Sequence, residues 1–115
     1  MLKFIKGFGY AFSGVAYAFK TQLNFKFHVV ALLFTALAGW YFKLSVNEWL
    51  WIVVASAIVL ITELINTAIE VLVDLVSPDY NPKAKIIKDV AAASVLMAAI
   101  GAAIIGLIIF IPKIF

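Results

Sequence analysis

From Val90 to Ile111 the chain carries no ionisable side chain, and Ser94 is its single polar interruption. As a helix at about 1.5 Å per residue this stretch reaches roughly 33 Å, enough to cross a hydrocarbon layer about 30 Å thick. No water satisfies a backbone at that depth, so the segment must be a helix packed among other helices. Pro112-Lys113 marks its expected end. Two earlier runs repeat the pattern. Phe27 to Phe42 carries no formal charge and is bounded by Lys26 and Lys43; at roughly 24 Å it spans if the flanking lysines snorkel. The other starts at Trp49, after Asn47 and Glu48, and runs to Val76, where Ser77-Pro78-Asp79 breaks it. Its helix would reach roughly 42 Å and so projects beyond the hydrocarbon at one end.

Composition agrees with a membrane solvent. Of 115 residues 66% are hydrophobic and 13% charged, against about 25% charged in a soluble domain. There is too little polar surface to cover a globule of this size, which excludes an ordinary cytosolic enzyme. The basic residues are all lysine, and the net charge of +3 is too small and too dispersed for a nucleic-acid footprint, so no nucleic-acid partner is expected. The absence of cysteine excludes disulfides, thiolate metal sites and cysteine nucleophiles.

Residues 1–24 differ in kind. Ile5, Phe8, Phe12, Val15 and Phe19 recur at three- and four-residue spacing among Lys3, Lys6 and Lys20, the pattern of an amphipathic helix lying in the membrane interface. Ala16-Tyr17-Ala18 could pass for a signal-cleavage site, but Gly7, Gly9 and Gly14 and the lack of a leucine-rich stretch weigh against that reading. The expectation is an all-α membrane protein with one domain over 1–115: a surface helix within 1–24 and transmembrane helices over 27–42, 49–76 and 88–111.

Orientation follows from the lysines. Lys3, Lys6, Lys20 and Lys26 precede the first span and Lys83, Lys85 and Lys88 follow the second, leaving only Lys43 and Lys113 at the opposite ends. The positive-inside rule places the N-terminus and the 77–89 loop in the cytoplasm, with the C-terminus outside. Trp40, Tyr41, Trp49 and Trp51 then form an aromatic belt at the outer turn.

The second span holds the chemistry. Glu63, Asn66, Thr67, Glu70 and Asp74 fall within an arc of roughly 100° on its helix, all in the cytoplasmic half. Counted from Trp49, Glu63 lies about 21 Å deep and Glu70 about 31 Å, near the inner boundary. A carboxylate at membrane depth costs about 2.5 to 3.5 kcal/mol on insertion scales and marks function by default. Such groups could serve only as hydrogen-bonding glue between helices, though glue needs one or two polar residues rather than a row of five. An immersed carboxylate can act as general base on a lipid hydroxyl, while one nearer water can hold a divalent cation. Lys88-Asp89, beside Lys83 and Lys85, opens the third helix at the level of Glu70 and Asp74 and would welcome phosphate; Lys83 and Lys85 equally suit anionic headgroups. No P-loop or dinucleotide fingerprint is present. His28, the one histidine, reads as an interfacial anchor rather than a ligand, having no second histidine or cysteine to complete a set. Ala98, Ala102 and Gly106 form a small-residue ladder that favours helix association, and three spans per chain suggest that a closed polar site needs more than one copy. An alternative class is an oligomeric transport or proton-relay subunit using Glu63 and Glu70, but the outer half of that span, Trp49 to Ile61, offers such a path only Ser56.

The run Glu63-Leu64-Ile65-Asn66-Thr67-Ala68-Ile69-Glu70, then Asp74, then Lys88-Asp89, resembles the signature of the small bacterial membrane lipid kinases, the prokaryotic diacylglycerol and undecaprenol kinase family. Phe8-Gly9-Tyr10-Ala11-Phe12-Ser13-Gly14-Val15 and Asn24-Phe25-Lys26 extend the likeness over nearly the whole chain. The resemblance implies a homotrimer in the bacterial cytoplasmic membrane, with composite sites between subunits that transfer the ATP γ-phosphate to the hydroxyl of diacylglycerol or undecaprenol. It implies Glu63 as catalytic base with Asn66 beside it, Glu70 and the position of Gln22 as ligands of Mg2+, and Asp74, Lys88, Asp89, Tyr10 and Lys6 on the nucleotide side. Two positions depart from the pattern. Gln22 stands where the family commonly has a glutamate, and Asn81 where a histidine is frequent. His28 resembles the branch often assigned to undecaprenol.

Overall fold

A computed structural model describes residues 1–115, and every regular element is helical: α1 (Leu2–Thr21), α2 (Leu23–Tyr41), α3 (Val46–Val76) and α4 (Pro82–Ile114). Three of them, α2, α3 and α4, are long and apolar enough to cross a membrane. α3 and α4 form the most extensive pair, α2 lies against α3, and α1 packs on α2 and α3.

The helix ends follow local chemistry that charge-bounded runs do not reveal. A single extended residue, Gln22 (φ −111°, ψ 110°), separates α1 from α2. Its N–H donates to the Ala18 carbonyl at 2.8 Å and its own carbonyl accepts from the Lys26 N–H at 3.2 Å, closing one helix and opening the next. α2 thus begins at Leu23, ahead of Lys26, because a lysine can lie on a helix surface with its ammonium turned to water. α3 begins at Val46 because Ser45 and Glu48 form a reciprocal capping box: the Ser45 hydroxyl accepts from the Glu48 N–H at 3.2 Å, and the Glu48 carboxylate accepts from the Ser45 N–H at 2.9 Å. α4 begins at Pro82, with Asn81 as its cap accepting from the Lys83 N–H at 2.9 Å and proline at the first helical position. Lys88-Asp89, expected to open this helix, therefore lies well inside it. At the other end α4 continues through Pro112 to Ile114, the last turn held by the Phe115 N–H on the Ile111 carbonyl at 3.1 Å. Proline this close to a terminus removes one donor without breaking the axis.

Only 14 of the 115 residues are buried, so most apolar side chains lie on the surface of the single chain. The apolar cluster sits at the end away from the lysine-rich loop, where Leu44, Ile52 and Ile109 pack with Trp49, Ile105 and Phe110. Gly39 of α2 meets the Trp49 ring so closely that a Cβ there would lie 2.6 Å from its Cη2 atom. At the same end the Lys113 ammonium of α4 sits 3.1 Å from the Glu48 carboxylate of α3. On α1 the aromatic residues Phe4, Phe8, Tyr10 and Phe12 are exposed, and Ala18 is fully enclosed where the helix meets the bundle.

Candidate active site

α3 carries the site as a helix that changes character along its length. Its first half buries Ile52, Ala55 and Val59; the next buried positions are Glu63, Asn66 and Thr67, with apolar Val73 beyond them. The helical period that points the first group inward points the second inward as well, so the polar row is built into the packing face. Glu63 is 2% exposed, the most enclosed large side chain in the molecule. The Thr67 hydroxyl donates to the Glu63 backbone carbonyl at 2.9 Å, and Asn66 Nδ2 donates to Glu70 Oε1 at 3.3 Å. Two buried oxygens on this face, Glu63 Oε1 and Asn66 Oδ1, accept no hydrogen bond within the chain. Acceptors enclosed without a donor are costly and are expected where something else docks.

His28 was not expected here. Its Nε2 approaches Glu63 Oε1 to 3.3 Å from α2, in ion-pairing range but off the line that an N–H donor prefers. The anchor reading fails for this side chain because α2 runs antiparallel to α3 and places the sixth residue of its helix at the level of Glu63. Sequence spacing alone carries no signal for a contact between two helices; an unpaired histidine and an immersed glutamate in successive spans were the available hint.

Toward the lysine-rich end the row continues. Glu70 is half-buried, with Asn66 on one of its oxygens. Asp74 is ion-paired with Lys88 of α4, which ties the ends of the two helices together. Beside that pair lies a polar pocket of about 240 Å³ whose lining includes Ser77, Asp79, Asn81 and Lys85. Asp89 faces away from it, paired with Lys85 at 2.6 Å on the exposed side of α4. On the other flank of α3, an apolar groove of about 810 Å³ runs between α1 and α3, bounded by Gly14, Val15, Ala18, Leu64, Ala68 and Leu72. Its dimensions and lining suit an aliphatic chain.

The remaining expected residues stand apart within one chain. Lys6 and Tyr10 are exposed on α1, and neither makes a side-chain hydrogen bond or ion pair. Gln22 sits at the α1–α2 corner with its amide on the Thr21 hydroxyl at 3.4 Å, touching none of the α3 carboxylates by hydrogen bond. No three acidic or histidine side chains converge into a metal cage. The donor set nevertheless fits Mg2+ in kind, because Glu70 offers a hard carboxylate oxygen near water, and magnesium is commonly held by one or two carboxylates together with substrate phosphates and waters.

An enclosed carboxylate, a half-buried carboxylate two turns along the same helix and a lysine beside a polar pocket are groups of the kind that phosphoryl transfer to a hydroxyl uses. Comparison with known proteins agrees. The family model for prokaryotic diacylglycerol kinase matches residues 9–110. The chain is 40% identical over 111 residues to the undecaprenol kinase of Bacillus subtilis, covering 96% of this chain and 90% of that protein. It is 42% identical over 106 residues to a diacylglycerol kinase of Synechocystis, covering 91% of this chain and 61% of that protein. The Escherichia coli diacylglycerol kinase is 28% identical over 102 residues, covering 89% of this chain and 84% of that protein. The chain therefore belongs to the prokaryotic diacylglycerol kinase family and is a membrane lipid kinase.

Proposed function

We propose that this kinase transfers the γ-phosphate of ATP to the hydroxyl of diacylglycerol or undecaprenol at the cytoplasmic face of the bacterial inner membrane, in sites shared between the subunits of a homotrimer. The observation that carries the proposal is the row on α3. It runs from the enclosed Glu63 through Asn66 and half-buried Glu70 to the Asp74–Lys88 pair, in the order proton acceptor, metal ligand, phosphate cation.

The lipid chain occupies the apolar groove between α1 and α3, which holds its hydroxyl at the depth of Glu63. That hydroxyl passes its proton to a Glu63 oxygen as its own oxygen bonds to the γ-phosphorus. The bond from the γ-phosphorus to the bridging oxygen breaks, and ADP leaves with that electron pair. Asn66 turns its Nδ2–H from Glu70 to the oxygen of the reacting hydroxyl, which positions it without competing for its proton. Lys88 exchanges Asp74 for phosphate oxygens and neutralises their charge. Asp74 and Asp89 set the direction of the cations Lys88 and Lys85 beside the polar pocket. Glu70 would hold Mg2+, with Gln22 contributing an amide oxygen, and the ion would supply positive charge against the phosphates.

Lys6 and Tyr10, unpaired in their own chain, and Gln22, whose side chain bonds only to the adjacent Thr21, are assigned to the nucleotide and metal of a neighbouring subunit's site. The exposed apolar faces, and open space around Gly101 and Gly106 of α4, support the close approach of other copies. The lysine-rich ends of α1, α2 and α4 and the 77–81 loop face the cytoplasm by the positive-inside rule. The test is transfer of labelled phosphate from ATP by the purified protein in mixed micelles, with each lipid supplied separately and magnesium varied. Magnesium-dependent labelling of one lipid supports the assignment and names the acceptor.

A further inference from the structure

We propose that His28 is the positioning residue for Glu63, holding the carboxylate from the adjacent helix so that its free edge meets the lipid hydroxyl. The inference rests on the role of Glu63 proposed above and adds to it the group that orients the proton acceptor.

Three observations converge on the pair. Glu63 Oε1 accepts no hydrogen bond within the chain, and His28 Nε2 lies 3.3 Å from it. Both side chains are shielded, with 18% of the His28 side chain and 3% of the Glu63 side chain exposed. His28 also forms one wall of a cavity of about 100 Å³ that extends toward the apolar end of the bundle, lined by Thr35 of α2, Ser56 of α3 and Ala102 of α4. The imidazole therefore stands between the carboxylate and the only polar side chains, Ser56 and Thr35, around that cavity.

Geometry decides what the histidine can do. Thr67 and Asn66, the polar neighbours of Glu63 on α3, bond to its backbone carbonyl and to Glu70, so neither fixes its carboxylate. The titratable side chain that meets Glu63 from another helix is His28 of α2, and Glu70 follows two turns along α3. Only His28 can donate to it. An imidazole presenting Nε2–H pins one oxygen and leaves the other for the incoming hydroxyl. Catalytic hydrogen bonds are often long or poorly aligned before substrate binds and tighten in the reacting complex, as the off-line 3.3 Å approach requires here. His28 keeps its proton throughout: the hydroxyl proton goes to Glu63, and the phosphoryl group goes to the lipid oxygen. Misplacement of a reacting group by about 1 Å can cost about 100-fold in rate, which sets the scale for losing the partner.

The test compares full-length His28→Leu, His28→Gln and His28→Asn with wild type and Glu63→Gln, each purified as the assembled protein in mixed micelles. Kinetics are measured against ATP and the accepted lipid. Gln can carry an N–H to about the place of Nε2, whereas Asn is too short to reach it and Leu has none. The expected result is a kcat lowered about 10- to 100-fold in the Leu and Asn variants, KM for ATP within about twofold of wild type, and recovery to within about fivefold in the Gln variant. Combining His28→Leu with Glu63→Gln should add no further loss. The proposal is overturned if the Leu variant keeps a kcat within twofold of wild type, or if Gln and Leu variants of equal thermal stability are equally impaired. Should the Leu variant fail to assemble, the Gln and Asn pair decides alone: equal kcat in those two overturns the proposal. Wild type that assembles but phosphorylates neither lipid would instead defeat the assignment of diacylglycerol or undecaprenol as acceptor, and a fully active Glu63→Gln would defeat the role of Glu63.

Discussion

Lys88 of α4 closes its ammonium onto the Asp74 carboxylate of α3, joining two helices across 14 positions of sequence at the lysine-rich end of the bundle. Both side chains remain substantially exposed, and exposed ion pairs contribute about 0 to 1 kcal/mol to stability. The pair keeps a cation poised beside a polar pocket and does little to hold the fold together.

Lys88→Met should therefore leave the thermal midpoint within a few degrees of wild type while raising KM for ATP about tenfold or more. Steady-state kinetics at several ATP concentrations, beside a thermal scan of the same preparation, separate the two effects. Asp74→Ala, which frees the lysine but removes its guide, should raise KM by a smaller factor.

Gln22 gives the second expectation. An amide oxygen coordinates magnesium without charge, so Gln22→Glu should lower the magnesium concentration needed for half-maximal phosphate transfer. A magnesium titration at fixed ATP checks this. An unchanged midpoint would make Gln22 only the hinge residue between α1 and α2.

At the opposite end, Gly39 faces the Trp49 ring with no room for a side chain. Gly39→Ala should destabilise the folded protein by about 1 to 3 kcal/mol, the usual range for overpacking, and Gly39→Leu by more. Thermal unfolding in detergent reads this directly, and activity at low temperature should survive in the alanine variant.

Ser45→Ala removes one half of the capping box at the start of α3 and should cost about 0.5 to 2 kcal/mol. Lys113→Ala, which breaks the pair with Glu48 at the same end, should cost about 1 kcal/mol or less. The ranking of the two midpoints is the check.

Much of the architecture was legible because hydrocarbon leaves the backbone so few choices. The uncharged stretch Val90 to Ile111 could only be a helix, and the apolar runs on either side of Trp49 shared that constraint. The α3 row was legible from helical periodicity, which put Glu63, Asn66 and Glu70 on one side, and their burial follows from that face packing inward. Helix ends were less so. Charge marks where a chain leaves hydrocarbon, whereas Ser45 with Glu48 and Asn81 with Pro82 mark where hydrogen bonding begins; those caps were present in the sequence but lie outside the apolar runs. Contacts across helices were not legible at all. The approach of His28 to Glu63 and the tie from Lys88 to Asp74 depend on how far α2 and α4 slide along α3, a register that no spacing within one helix encodes.

The most direct test of the central claim is a single substitution, Glu63→Gln, measured for phosphate transfer, ATP binding and subunit assembly in one preparation. The carboxamide keeps the size of the side chain and loses the proton acceptor. The account predicts an assembled protein that binds ATP with wild-type affinity and transfers phosphate at least about 100-fold more slowly, the lower bound of the range for a general base. Turnover within a few-fold of wild type would show that the enclosed carboxylate of α3 does not accept the lipid proton.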